Sequence, residues 1–174
     1  MVFLFISTSF DHLKLAKVHM KSIYPEPTVG AIIFNPKDEI LLCKSSKWND
    51  QYVIPGGHIE KGEKMEDALK REVLEETGLE VYDVELVSIQ ESVNSDKFEE
   101  ERHFIFIDFC CRTDSVEVVL NDEADEYAWV RPEEILSYNL GGFCRQFFEE
   151  WLKGEDSVFK KGVYYGYVEK LGGI

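Results

Sequence analysis

The chain has 174 residues, 44% hydrophobic and 30% charged, with a formal net charge of −15 at pH 7. This length supports one well-filled core rather than two, and so acidic a chain lacks the Lys/Arg face needed to track a nucleic acid backbone. Cys43, Cys110, Cys111 and Cys144 have neither CxxC spacing nor a secreted-framework pattern, so reduced thiols in a cytoplasmic protein are expected.

Residues 1–23 read as an extension ahead of a core domain spanning 24–153. Within the extension, Val2 to Ile6 is apolar but far shorter than the ~20 residues that cross a bilayer. It lacks the basic leader and small-residue exit of a signal peptide, so no membrane association is expected. Thr28 to Phe34 and Glu39 to Cys43 read as strands joined by the turn Asn35-Pro36-Lys37-Asp38. Gln51 to Ile54 is a short strand delivering the turn Pro55-Gly56-Gly57.

A helix follows. At about 100° per residue, Met65, Ala68, Leu69 and Val73 form the apolar stripe of a helix packed on a core. Glu72, Glu75 and Glu76 fall in or beside that stripe, where unpaired charge is unfavourable and like charges repel. A divalent cation among them relieves both problems. Glu63 stands at the helix start, where a carboxylate complements the positive end of the dipole. Gly78 suits a left-handed helix stop, and Arg71 is placed to orient Glu75.

Val81 to Val93 and His103 to Cys111 read as longer strands linked by the charged stretch 94–102. The second is almost continuously apolar, as in a strand covered on both faces, with Cys110 and Cys111 on opposite sides. Glu126 to Val130 is another strand, and Pro132 opens a short helix. Leu140, Phe143, Phe147 and Trp151 form a helical stripe that reads as core. Residues 154–174 form a tail whose aromatic run from Val163 to Tyr167 suits a docked terminal strand or a homodimer contact.

The run from Gly57 to Leu79 resembles the Nudix box at all nine specified positions: Gly57, Glu63, Arg71, Glu72, Val73, Glu75, Glu76, Gly78 and Leu79. The resemblance implies an α/β (α+β) fold, an α/β/α sandwich around a mixed sheet. It also implies a pyrophosphohydrolase in which Glu72, Glu75 and Glu76 hold Mg2+ or Mn2+, helped by a carbonyl of the Gly56-Gly57 turn. Glu63 and Arg71 support the catalytic carboxylates. A further acidic ligand is expected from the loop before Tyr127-Ala128-Trp129-Val130, with Glu123 preferred and Glu126 its rival. Hard cations favour such oxygens. They would neutralise the diphosphate and activate a water to attack phosphorus, with a carboxylate taking its proton.

His58 is a candidate contact for a substrate phosphate, or a plain turn residue. Trp129 is a candidate for stacking on a base, or a core side chain. The family marks of NADH, ADP-ribose, dinucleoside polyphosphate and coenzyme A hydrolases are missing. Pro55 to Glu60 resembles small MutT-type members, and the expected substrate is therefore a nucleoside or deoxynucleoside triphosphate. A nucleoside diphosphate linked to a sugar or another group is the alternative substrate. A non-catalytic nucleotide sensor is a third reading, against which the intact box argues.

Overall fold

A computed structural model describes residues 24–93 and 102–153, with the backbone of 164–169. The extension 1–23, most of the 94–102 connection and the rest of the tail lie outside the described residues. Among those described, eight strands form one mixed sheet: β1 (Glu26–Phe34), β2 (Ile40–Ser45), β3 (Gln51–Val53), β4 (Gly56–His58), β5 (Tyr82–Val93), β6 (His103–Arg112), β7 (Glu126–Val130) and β8 (Tyr164–Glu169). Two α-helices, α1 (Met65–Thr77) and α2 (Gly142–Trp151), and a 3-10 helix at Pro132–Ser137 complete them.

The turn into β2 is closed by Asn35, whose buried carboxamide oxygen accepts the backbone N–H groups of Lys37 and Glu39. Asp38 takes a positive φ of 59° there, a conformation that Asp tolerates better than most residues.

The central pair is β1 and β6, parallel from Glu26↔Phe104 to Phe34↔Arg112. β5 flanks β6 in antiparallel fashion, and the backbone of β8 adds parallel to β5. On the other side β1 changes partner. It meets β2 at Phe34↔Ile40 and then pairs with β4 from Thr28↔His58 to Gly30↔Gly56, while β2 goes on to β3 and β7. This divergence of β1 from β2 opens the sheet.

Alternation along β1 explains why its sequence is apolar throughout. Val29, Ala31 and Ile33 pack with Leu41, Ala68, Leu69 and Val73 beneath α1. Ile32 joins Ile40, Leu42, Ile135, Phe147 and Phe148 beneath α2. Each fully buried aliphatic side chain of this kind contributes about 1.5–3 kcal/mol. Cys111 faces the first cluster and Cys110 the second, the alternation a strand imposes. The result is an α/β/α sandwich.

Two expectations about the helices are corrected. Met65 is 46% exposed rather than part of the buried stripe, as the first residue of α1. Phe143 does not serve the core alone: it opens α2 and lines a cleft. Among the described residues no helix is long and apolar enough to cross a membrane.

Candidate active site

The site is built where α1 passes over β4. Close approach of β4 to β1 demands its glycines. A Cβ on Gly56 would lie 2.0 Å from the Val29 carbonyl oxygen, and φ is +155°. A Cβ on Gly57 would lie 2.5 Å from the Glu72 carboxylate. The backbone of Gly57 and the Glu72 side chain therefore share one cradle. Downstream, α1 stops at Gly78, whose φ of 70° is left-handed and whose N–H reaches the Leu74 carbonyl at 2.9 Å.

Arg71 organises the first half of the cluster. Its Nε and Nη2 each donate to Glu63 at 2.9 Å, its Nη1 to Glu72 Oε1 at 2.8 Å, and its Nη2 also to the His58 carbonyl at 3.1 Å. These bonds, with the Glu60 N–H, hold the Glu63 carboxyl down at about 2. Glu75, the partner expected for Arg71, is only a marginal one at 3.5 Å and is 57% exposed. The planar guanidinium meets Glu63 in a two-bond fork and has little left for Glu75.

Glu76 is different. It accepts the Gly56 N–H at 3.0 Å. Its carboxyl is pushed up to about 7, chiefly by burial and further by the charges of Glu123, Glu72 and Glu75. Glu123 lines the same cleft, its backbone N–H held by the Asn121 side chain at 2.8 Å. The rival Glu126 is occupied by Lys44 at 2.9 Å and by the Tyr52 hydroxyl. Among the described residues no three His, Cys, Asp or Glu side chains converge on one point. Arg71 draws Glu72 toward Glu63 while Glu75 turns to solvent, which spreads the like charges. The donor set, carboxylates and backbone carbonyls beside a half-buried acid whose neighbouring charges are the carboxylates of Glu123, Glu72 and Glu75, fits a hard divalent ion.

From Glu76 and Glu123 a cleft of about 670 Å³ runs past Val29 and Gly30 to Phe106 and Asp108. His58 sits on its wall, 56% exposed, with Nε2 3.0 Å from Glu26. It belongs to strand β4 rather than to a turn. Trp129 takes the second of the two readings open to it, a core side chain, rather than the base-stacking one. Its ring packs against the cluster under α1, and its Nε1–H donates to the Val116 carbonyl at 2.9 Å, so it offers no stacking face to the cleft. The buried Cys43, Cys111 and Cys144 and the half-buried Cys110 are free thiols, each pushed up to about 12 by burial. Such groups are inert at neutral pH.

An acidic helix laid over a glycine strand at the mouth of a cleft, within an α/β/α sandwich, defines a hydrolase of the phosphoanhydride-cleaving class. The NUDIX domain family matches residues 24–151, and the chain belongs to that family. It is a MutT-type Nudix pyrophosphohydrolase, and such enzymes generally need a divalent metal. It is 36% identical to the nucleoside triphosphatase NudI of Escherichia coli K12 over 116 residues, covering 61% of this chain and 82% of the relative. The crystal structure of a MutT protein from Methanosarcina mazei Go1 superposes with a TM-score of 0.64 at 30% identity, covering 79% of this chain and all of that one. A Bacillus halodurans MutT structure has the same fold, with a TM-score of 0.67 at 24% identity over 83% of this chain and 89% of that one.

Three residues in or behind the cleft wall are not singled out by the sequence reading: Gln90 and Asp108, which line it, and Glu26, which pairs with His58 and Arg102. Glu26 carries no local signal, since only the pairing of β1 with β4 and β6 brings it to His58 and Arg102. Asp108 does carry one, as the lone carboxylate inside the apolar run His103 to Cys111. Gln90 sits in the alternation Ser88, Gln90, Ser92, which marks one polar face of β5.

Proposed function

We propose that the protein hydrolyses nucleoside or deoxynucleoside triphosphates to the monophosphate and pyrophosphate. One observation carries this reading: a single cleft runs from the acidic mouth at Glu76 and Glu123 to an aromatic wall of Phe104, Phe106 and Phe143. A nucleotide has the same polarity, with phosphates at one end and a flat base at the other. The likeness to NudI, a nucleoside triphosphatase, supports the triphosphate assignment.

In this reading Glu72, Glu75 and Glu76 hold Mg2+ or Mn2+, with the Gly57 carbonyl and Glu123 completing the oxygen donors. The metal, when bound, supplies charge neutralisation at the diphosphate and an acidified water. Everything else falls to the chain. Arg71 and Glu63 fix the direction of Glu72, and the Gly56 N–H fixes Glu76. One of the α1 carboxylates takes the proton of the attacking water. His58, backed by Glu26, contacts a substrate phosphate from the cleft wall.

The test is phosphate and pyrophosphate release from a panel of triphosphates, nucleotide sugars, ADP-ribose and dinucleoside polyphosphates, with Mg2+ or Mn2+. Turnover confined to triphosphates, with pyrophosphate as product, supports the proposal. Turnover of the diphosphate-linked compounds alone would transfer the enzyme to the other substrate class. Binding across the panel without turnover would make it a sensor.

A further inference from the structure

The inner end of the cleft is polar in a way that α1 does not explain. Register places Thr28, Phe106 and Gln90 in one row across β1, β6 and β5, with Gly30, Asp108 and Ser88 in the next. All six side-chain positions share the face of the sheet toward α2. Asp108 and Gln90 are each 4% exposed and Thr28 is 8% exposed, yet all three line the cleft.

Their hydrogen bonds are half made. Asp108 Oδ2 accepts the Ser88 hydroxyl at 2.5 Å and the Gln90 Nε2 at 2.9 Å. Because the Gln90 amide nitrogen is spent on Asp108, its Oε1 is the atom left over. Among the described residues that Oε1 has no hydrogen-bond partner, and neither has Thr28 Oγ1. The other Asp108 oxygen leans over Gly30, where an added Cβ would come within 2.4 Å of it and 2.8 Å of Ile54 Cδ1. A glycine is what keeps this oxygen open to the cleft. Buried polar atoms lacking partners cost stability unless a ligand or water completes them.

The aromatic wall stands beside this floor. Phe106 lies 5.5 Å from Phe104 in a stacked pair and 4.7 Å from Phe143 at the start of α2. Phe106 is the row neighbour of Gln90 and stands two residues before Asp108 on the same face, so a flat ring on that wall lies beside both. We propose that Asp108 and Gln90 read the edge of the substrate's base, selecting bases that carry a ring carbonyl beside a ring N–H. Depth along the sheet decides the polarity. The Asp108 row lies one strand step, roughly 7 Å, further in than the Gln90 row, next to Cys110 and the core beneath α2. The deeper group therefore meets the exocyclic substituent, and Gln90 Oε1, an obligate acceptor, meets the ring nitrogen, which must carry hydrogen. Uracil, thymine and hypoxanthine satisfy this, and guanine does so if its extra amino group fits. Cytosine and adenine present a bare ring nitrogen to the Gln90 oxygen. Burial raises the Asp108 carboxyl, opposed by its bonds to Ser88 and Gln90, which suits it to donate to the deep carbonyl.

This inference rests on the triphosphate reading, and the experiment separates the two. kcat/KM of the full chain is measured for UTP against CTP and for ITP against ATP, pairs that differ mainly at this edge. The expected preference for UTP and ITP is on the order of 10–100-fold, since the wrong base leaves buried groups unpaired. Asp108→Leu and Gln90→Leu should bring both ratios to within about threefold, mainly through KM. Asp108→Asn, which keeps a donor in place, should retain the preference. Flat wild-type ratios, with triphosphates still cleaved, would overturn the inference and leave the hydrolase reading intact. So would ratios that survive both leucine substitutions in variants shown by melting to be folded. If no triphosphate is cleaved, the triphosphate reading fails, and calorimetric binding of UMP against CMP decides the base-reading floor by the same criterion.

Discussion

The two ends of the cleft handle carboxylates in opposite ways. At the mouth, Glu63 and Glu72 are part-exposed and held by a guanidinium, and Glu75 is left to solvent. At the inner end, Asp108 is buried with neutral partners, Ser88 and Gln90. Charge is retained where a cation and water reach it, and replaced by hydrogen-bond complementarity where they do not. Glu76 stands between the two regimes. Its acid is buried enough to be held near 7, yet it lies within reach of the charges of Glu123, Glu72 and Glu75. Such a group responds strongly to a divalent ion.

The sharpest way to break this contrast is Glu76→Gln. The amide can still accept the Gly56 N–H but supplies no anion, so kcat should fall by roughly 10²–10³-fold. Without metal the same variant should melt higher than wild type above pH 7, because an ionised, half-buried carboxylate has been removed. Turnover within tenfold of wild type would show that Glu76 does not serve the chemistry. Next in size is Gly57→Ala. The new methyl would occupy the space of the Glu72 carboxylate, and metal affinity should drop by roughly 10–100-fold, read by titrating turnover with Mg2+.

The contrast also explains what could be seen in the chain before its fold. α1 carries Glu72, Glu75, Glu76 and Arg71 within one and a half turns, so helical geometry alone brings them together. The inner floor has no such contiguity: Thr28, Gln90 and Asp108 come from three strands and meet only through register. Trp129 shows the same limit from the other side. The sequence places it on a strand, but which face it takes depends on the pairing of β7 with β2. Helical spacing points Arg71 at Glu75, whereas its fork reaches Glu63, on the loop just before the helix. Spacing within a helix is local, and contacts between elements are not.

Proton and metal should compete at Glu76. A raised pKa means that, without metal, its contribution to stability is complete below the ordinary value of 4.5 and is lost as pH rises through about 7. Metal binding needs the deprotonated form, so apparent affinity should climb by up to roughly tenfold per pH unit from 5 toward 7 and then level off. The rise in melting temperature caused by Mg2+ should accordingly be larger at pH 7.5 than at pH 5.5. An equal rise at both would mean that no proton is displaced from Glu76.

The smallest effect should come from Trp129→Phe, and it sharpens the contrast because it touches neither end. The substitution keeps an aromatic ring against the cluster under α1 and removes the Nε1–H bond to the Val116 carbonyl. Stability should fall by about 1 kcal/mol, the usual worth of one such bond, with part of the loss coming from the smaller ring. Base preference should stay at the wild-type ratio, since Trp129 packs on the face opposite Phe106 and Asp108. A change in the UTP to CTP ratio without a change in stability would move Trp129 from the core to the cleft. It would also relocate base recognition from the β1, β6 and β5 floor to β7.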